Sequence, residues 1–539
     1  MKTKVCILIA LLLFSLLLIA CGGNPSAGNG EGGGDGECAH KFQIQRTEHA
    51  TCEDEGHLYY ACRLCGFEKV VPIEAKGHDW EDTVTEPTCE AGGYTTHTCA
   101  RCDESYTDQE TDPTDHVYAV VSLTVGEGEV EQEGVVACKW CDRTETRTVT
   151  SEDLGIPVIS LVGSLDGITK ENLNTLRFTF DWGDEDFTCY ATFKLQGATS
   201  ISYVKRNYNV KLYSTITLNE KYKINPFGWG KEYKYCLKAN YVDFSHARNI
   251  VSARLWGQMA ATRDGVHSIL ADTANYGAID GYPVVIYLNG VYHGLYTFNV
   301  PKDNWMFDMN DESAREAILM AEQATPATLL NRKMTAVWAD GWELEHCSTA
   351  DTSWIVPSFN RMVTFLMDNK NNRTAIRSRL DDYVDVDAAI DSMLFTFLVH
   401  GSDNCGKNIL WATYDGEVWI PSVYDLDATW GLYWNGSKFL EPGTVHPATS
   451  DMPLLWELLL KYYPDEVKDR YFEMRETVFS EENVRAAFGE YLSSIPAAVR
   501  EAELKKWSTL PGTTRDPYSQ IVDFAEKQFS LLDSYFENL

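Results

Sequence analysis

Hydrophobic and polar positions fall into distinct textures along the 539 residues. Cys6 to Ala20 is one apolar run of 15 residues behind Lys2 and Lys4. A bilayer span needs about 20 apolar residues, so this length suits the apolar segment of a secretion signal instead. Gly22 to Glu37 is polar and Gly-rich, the composition of a flexible tether. Residues 38–150 carry short polar stretches punctuated by cysteine and histidine. From about Ile156 apolar and β-branched residues increase, in short runs that read as strands. The pattern predicts strands at Val158–Leu161, Thr175–Phe180, Thr188–Leu195 and Tyr208–Tyr213. It also predicts a hairpin in which Pro283–Leu288 and Gly294–Phe298 flank Asn289-Gly290, a dipeptide suited to tight turns. Val251, Leu255 and Met259 recur every four residues and mark a helix over Ser245–Thr262. Beyond Asp385 helical spacing dominates, broken by one hairpin at about 409–425, and Met452 to Leu539 is helical with amphipathic spacing. A strand-rich half followed by a helix-rich half predicts an α+β domain over 156–539.

Residues 38–150 contain two similar units and a degenerate third. The first holds His40, Cys52, Cys62 and Cys65; the second holds His78, Cys89, Cys99 and Cys102. The cysteines recur at an offset of 37 and the histidines His40, His78 and His116 at 38. An aromatic residue stands two places after each histidine: Phe42, Trp80 and Tyr118. The third unit keeps Cys138 and Cys141 but lacks the earlier cysteine. A C-x2-C knuckle, a further cysteine and a histidine make a tetrahedral Zn2+ donor set. Two phases satisfy the spacing, because each unit can use its own leading histidine or the one that opens the next unit. Disulfides are the rival chemistry outside the cytoplasm. They account for the C-x2-C pairs but not for the recurring histidine, which favours zinc. Units this small and Gly-rich need a metal or a covalent bond to be stable. They resemble Cys/His repeats of Gram-positive surface proteins, which implies a stalk or interaction module.

The formal net charge is -33. Such acidity disfavours nucleic acid and anionic membranes as partners. It would suit a basic protein substrate, but it is first of all a common solubility device. Leu18-Ile19-Ala20-Cys21, followed by Gly22-Gly23, resembles a bacterial lipobox. The resemblance implies cleavage after residue 20, a diacylglycerol on the Cys21 thiol, and a mature chain held outside the bacterial membrane by lipid alone.

The segment with most chemistry is Gly401-Ser-Asp403-Asn-Cys-Gly-Lys407-Asn408. An apolar helix, Ile390 to His400, leads into this polar loop. A hairpin then turns at Asp415-Gly416 and returns the chain to Asp425-Leu426-Asp427. This is the grammar of a kinase catalytic loop. There an Asp orients the acceptor hydroxyl, an Asn five residues on binds metal, and a later Asp binds the metal that bridges the phosphates. Isolated Asp and Asn residues are common loop formers and helix caps. The combination with the hairpin and the acid pair is what makes the pattern specific.

Four further segments accompany it in order. They are Gly197-Ala-Thr-Ser200 with Lys205-Arg-Asn-Tyr208-Asn-Val-Lys211, then Lys238-Ala-Asn-Tyr-Val-Asp243-Phe-Ser-His-Ala-Arg248-Asn249, then Leu288-Asn289-Gly290-Val-Tyr292-His-Gly294-Leu-Tyr296. With the loop and the acid pair, these resemble the CotH kinase family of spore-coat kinases over about 158–530. The resemblance implies a kinase-like fold, ATP with Mg2+ or Mn2+ as cofactors, and phosphorylation of protein hydroxyls at a cell or spore surface. Carried across, Asp403 is the catalytic acid of the loop, and Asn408, Asp425 and Asp427 are metal ligands. Lys211, or Lys205 as second choice, contacts ATP phosphate. Tyr208, Val210 and Leu212 share one strand face, which puts Lys211 on the other. Arg248 has two readings, as a phosphate ligand or as a partner of Asp243 at the helix start.

The chain also departs from the family. After Tyr296 it runs Thr-Phe-Asn299-Val-Pro301-Lys302, where many relatives carry a Glu. The predicted helix from Ser245 has no Glu either, so the acidic partner of the ATP lysine is open, with Glu322 and Glu343 as candidates. Three functions share the expected fold: a surface kinase, a non-catalytic binding or structural protein, and a nucleotidyl transferase.

Overall fold

Three antiparallel three-stranded sheets succeed one another through the Cys/His repeats. The computed structural model describes residues 38–539 apart from 264, 311, 313 and 448–451, so Cys21 lies outside the described residues. By their internal contacts the described residues form two units, one ending at 114 and the other running over 115–539. In the first unit, β1 (Phe42–Glu48), β2 (Gly56–Cys62) and β3 (Glu68–Ile73) form one sheet. A second sheet contains β4 (Trp80–Thr85), β5 (Tyr94–Cys99) and β6 (Ser105–Asp108). The buried hydrophobic residues of 38–114 are Ala50, Cys52, Cys62, Cys89 and Cys99. A core made almost wholly of thiols cannot supply the apolar burial a small domain needs.

The third sheet, β7 (Tyr118–Leu123), β8 (Glu133–Cys138) and β9 (Thr144–Thr148), belongs to the second unit. Leu123, Val136 and Val149 enter the same core as Leu154 of α1 (Ser151–Leu154) and Ile156. The Gln132 N–H donates to the Gly290 carbonyl at 2.7 Å.

A seven-stranded closed barrel follows, in the order β10-β11-β12-β13-β14-β16-β15. Its strands are β10 (Val158–Val162), β11 (Asn174–Asp181), β12 (Phe187–Gln196), β13 (Asn207–Tyr213), β14 (Lys234–Lys238), β15 (Gly281–Leu288) and β16 (Val291–Asn299). Neighbours are antiparallel except β10 and β15, whose parallel pairing closes the barrel. Alternate residues point inward, and Phe178, Phe180, Phe193, Val210, Leu212 and Phe298 fill the interior. At the β15–β16 turn Asn289 and Gly290 both take left-handed conformations, with φ of 51° and 78°. Such a turn matches the twist of its strands. Two helices, α2 (Arg248–Ala261) and α3 (Ser268–Ala271), separate β14 from β15.

Next comes a four-stranded sheet of order β18-β17-β19-β20. It comprises β17 (Ala317–Ala321), β18 (Trp342–Cys347), β19 (Ile409–Thr413) and β20 (Ile420–Val423). Between β18 and β19 lie α4 (Ile355–Asn369), α5 (Arg373–Arg379) and α6 (Val386–Leu398). The tail is helical: α7 (Leu454–Tyr462), α8 (Pro464–Glu476), α9 (Glu481–Ser494), α10 (Ala497–Lys506) and α11 (Pro517–Glu537). The fold is thus mixed α/β, with Cys/His-rich repeats ahead of it. Helix α6 is buried on nearly every face, and Asp385 caps it by accepting the Ala388 N–H. Its one buried acid, Asp391, is paired with Arg263 at 2.9 Å and Arg470 at 2.8 Å. Among the described residues no helix is long and apolar enough to cross a membrane.

Candidate functional site

Helix α6 runs through the core and ends at Leu398, two residues before His400, whose φ of 50° turns the chain off the helical path. The loop that follows, and the chain leaving β20, bring Asp403, Asn408, Asp425 and Asp427 to one open cleft of about 480 Å³. The cleft is also lined by Gln196 to Ser200, by Lys238 and Lys302, by Glu322, Glu343 and Glu345, and by Lys407. Asn408 and Asp425 both hold left-handed backbone conformations, with φ of 56° and 52°. Asn and Asp tolerate that region better than other side chains, and clustered outliers of this kind accompany functional sites. The Asn408 N–H donates to Ala321 O at 2.7 Å, and the Tyr424 N–H donates to Asn408 O at 3.1 Å. Asn404 Nδ2 donates to the Tyr424 carbonyl at 2.9 Å, which ties the loop to the acid pair.

Asp403 Oδ2 accepts from Lys407 Nζ at 2.7 Å and from Asn408 Nδ2 at 3.2 Å. Burial raises the Asp403 carboxyl above its ordinary range, against the pull of Lys407. Asp425 faces Lys238, with Nζ 3.3 Å from Oδ1. Burial alone would raise Asp425, but Lys238, with Lys407 and Lys302 nearby, brings it below the usual carboxylate range. Asp427 is held well above that range, first by burial and then by the Asp425 charge. Lys302 Nζ lies 2.5 Å from Glu345 Oε1, a Lys–Glu contact within the cleft.

The motif around Asp243 is a support for this site. Asp243 accepts the backbone N–H groups of Ser245 and Arg248 at 3.1 and 3.0 Å, and so starts α2. Arg248 is 2% exposed, and its guanidinium donates to Asp243, Ser245, the Thr429 carbonyl and Gln520. Of its two readings the structure therefore has the partner of Asp243, and the phosphate reading is corrected. The next residue, Asn249, accepts the Leu426 N–H at 2.9 Å and so fixes the peptide between Asp425 and Asp427.

The sequence expectation for the ATP lysine is also corrected. Lys211 is exposed on the outer face of β13, two residues beyond Asn209, which does line the cleft. Lys205 is fully buried against Glu503 and is not among the cleft residues. Both Lys238, at the head of the Asp243 motif, and Lys302 stand in the segments quoted from the sequence but were given no role there, and they are lysines the fold brings to the acids. One signal was available: Lys238 ends a β-strand directly before Ala239-Asn240 and the Asp243 motif, the segment that leads to α2.

The repeats form two donor sets in the first unit. Cys38, His40, Cys62 and Cys65 are one, and Cys52, His78, Cys99 and Cys102 the other, with ligand atoms within 4.8 Å of one another. Each leading histidine therefore joins the C-x2-C of its own repeat, but Cys52 serves the following repeat and Cys38 takes its place in the first. The sequence reading overlooked Cys38. The Cys38–Cys62 and Cys52–Cys99 sulfurs are 3.7 and 3.8 Å apart. That is far beyond a disulfide bond and equals the edge of a tetrahedron with metal–sulfur bonds of about 2.3 Å. His78 turns Nδ1 to Cys102 at 3.4 Å and Nε2 to Glu104 at 3.1 Å, the carboxylate arrangement that orients a ligating imidazole. Trp80 stacks on His78 and Phe42 on His40, which explains the aromatic two places after each histidine. Burial pushes the Cys62 and Cys99 thiols up, but backbone N–H groups and the histidines outweigh it and lower them to about 5 and about 6. Cys89 is buried in the first unit, and in the second His116 Nδ1 lies 3.5 Å from Cys141 Sγ.

No curated protein matches the chain. The family model described as CotH kinase protein matches residues 193–532, from within β12 through most of α11 and so over both walls of the cleft. That is well over half of the sequence, and the chain belongs to the CotH kinase family.

Proposed function

We propose that this chain is an ATP-dependent protein kinase that phosphorylates Ser/Thr hydroxyls of a surface or spore-coat protein. The observation that carries the reading is the convergence of Asp403, Asn408, Asp425 and Asp427 with Lys238 and Lys302 in one cleft. The donor set fits a hard divalent cation, Mg2+ or Mn2+. Asp425 and Asp427 raise the cost of ionising one another, a repulsion that a bound cation relieves. Gln196, which lines the same cleft, has a buried Oε1 without a hydrogen-bond partner among the described residues. Asp425, Asp427 and Asn408 would hold the ion, and when bound it neutralises charge on the phosphates. Lys238 and Lys302 supply positive charge on the same wall. Asp403 orients the acceptor hydroxyl and takes its proton, while Lys407 and Asn408 fix the carboxylate.

The anchor and the repeats complete the reading. Cys21 carries the lipid that holds the chain on the outer face of a bacterial membrane, and the two Cys/His sets hold structural Zn2+. An acidic surface favours a basic, Ser/Thr-rich protein substrate and disfavours nucleic acid. The test is incubation of the protein with an acceptor protein, Mg2+ or Mn2+, and ATP labelled either in the γ-phosphate or in adenine. Transfer of the γ-phosphate label alone supports the kinase. Transfer of the adenine label identifies a nucleotidyl transferase, and no nucleotide binding at all leaves a binding or structural protein.

A further inference from the structure

Lys205 and Glu503 form an ion pair of 2.6 Å with both side chains wholly excluded from solvent. Lys205 precedes β13, and Glu503 belongs to α10, almost 300 residues later. The ammonium also donates to the carbonyls of Ala239, at 2.7 Å, and Leu295, and it lies 4.5 Å from the centre of the Tyr296 ring. Glu503 Oε2 accepts from the Leu295 N–H at 2.8 Å and the Tyr292 hydroxyl at 3.2 Å. Gly294 allows this close approach: its φ is 150°, and a Cβ there would come within 3.2 Å of Lys205 Cε. The Tyr292-His-Gly294-Leu-Tyr296 pattern thus builds the seat of a buried charge pair on β16.

A pair so deeply buried is a poor source of stability, since apolar residues of the same volume often stabilise as well or better. What the charges add is direction. The ammonium fixes the carbonyl of Ala239, the residue directly after Lys238. The Ala239 N–H is fixed as well, by Asn207 Oδ1 at 2.7 Å. Ala239 is therefore held at both its N–H and its carbonyl, and the Lys238 ammonium points to Asp425 from directly before that clamp. We propose that Lys205 and Glu503 are positioning residues that act on the cleft through Lys238, a role that rests on the ATP-site reading above.

The test is a binding cycle on the full chain. Lys205→Met with Glu503→Gln removes both charges together, so neither is left buried alone. Calorimetry with Mg-ATP is expected to show affinity about tenfold weaker in this double variant, and a similar or larger loss in Lys238→Met. The triple variant is expected to be no weaker than Lys238→Met, because residues that act through one group are not additive. If the double variant does not fold, Glu503→Asp, which keeps the charge and withdraws it by one methylene, enters the same cycle. Losses that add in full with Lys238→Met overturn the proposal, as does a folded double variant with wild-type affinity. Wild-type protein that binds no Mg-ATP overturns the site reading itself.

Discussion

Lys238 Nζ and Asp425 Oδ1 lie 3.3 Å apart across the cleft, although 187 residues separate them in the chain. One ends β14 of the barrel, and the other follows β20 of the second sheet. The contact joins the positive wall of the cleft to its acid pair, and it holds Asp425 below its ordinary pKa while Asp427 is driven the other way. Lys238 is itself raised well above the usual lysine value: burial opposes its charge, and Asp425 together with Tyr424, Cys236 and Asp427 more than offsets this.

This relationship separates the lysines. Lys238→Met is expected to weaken Mg-ATP binding about tenfold or more, the scale of losing a charge-assisted contact to phosphate. Lys211→Met, on the exposed outer face of β13, is expected to stay within about twofold of wild type. Calorimetric titration of each variant with Mg-ATP checks both values.

Asp391 tests the support beneath the loop. It is 1% exposed and neutralised by Arg263 and Arg470, which reach α6 from the end of α2 and from α8. Asp391→Asn leaves the half-buried Arg263 and Arg470 without their shared counter-charge, and Arg470 then has Glu473 as its carboxylate partner. The expected loss is about 3–5 kcal/mol of stability, read as a lower urea midpoint.

Zinc should follow pH in a defined order. Thiolates with depressed pKa values are present at neutral pH and disappear as pH falls through those values. With Cys99 at about 6 and Cys62 at about 5, and His78 shifted upward by its contacts with Cys99 and Glu104, the second set meets proton competition first. Acid titration with a zinc indicator is expected to show release from Cys52, His78, Cys99 and Cys102 before release from Cys38, His40, Cys62 and Cys65. Variants Cys99→Ser and Cys62→Ser assign the two steps. Release in the opposite order contradicts this electrostatic account.

The anchor has a separate outcome. Cys21→Ala is expected to leave the precursor uncleaved and to abolish labelling by a radioactive fatty acid. Normal processing and labelling of that variant would count against the lipobox.

Much of the fold can be read from the sequence where the period is clear. The strands around Phe178, Phe193 and Val210 alternate cleanly, and Asn289-Gly290 marks its hairpin. Strand β17 cannot be read that way, because Ala317–Ala321 is apolar on both faces and has no period. Closure of the barrel depends on a parallel pairing between β10 and β15, over a hundred residues apart, which no local pattern encodes. The acids of the cleft were legible because Asp403, Asn408, Asp425 and Asp427 lie close together in sequence. The lysines were not, because alternation tells which face Lys211 takes but not that the outer face two residues past Asn209 is open to solvent. In the repeats the donor types were legible, while the transfer of Cys52 to the next repeat is a matter of three-dimensional packing.

The central claim is that Asp425 and Asp403 do different work in one kinase site, and paired measurement of Mg-ATP affinity and γ-phosphate transfer tests it most directly. Asp425→Ala removes a hard anionic ligand and is expected to weaken metal-dependent ATP binding and transfer together. Asp403→Asn keeps shape and hydrogen bonding but loses the carboxylate base. It is expected to bind Mg-ATP within about threefold of wild type yet transfer phosphate on the order of a hundredfold more slowly. Wild-type affinity and wild-type transfer in both variants would contradict the account.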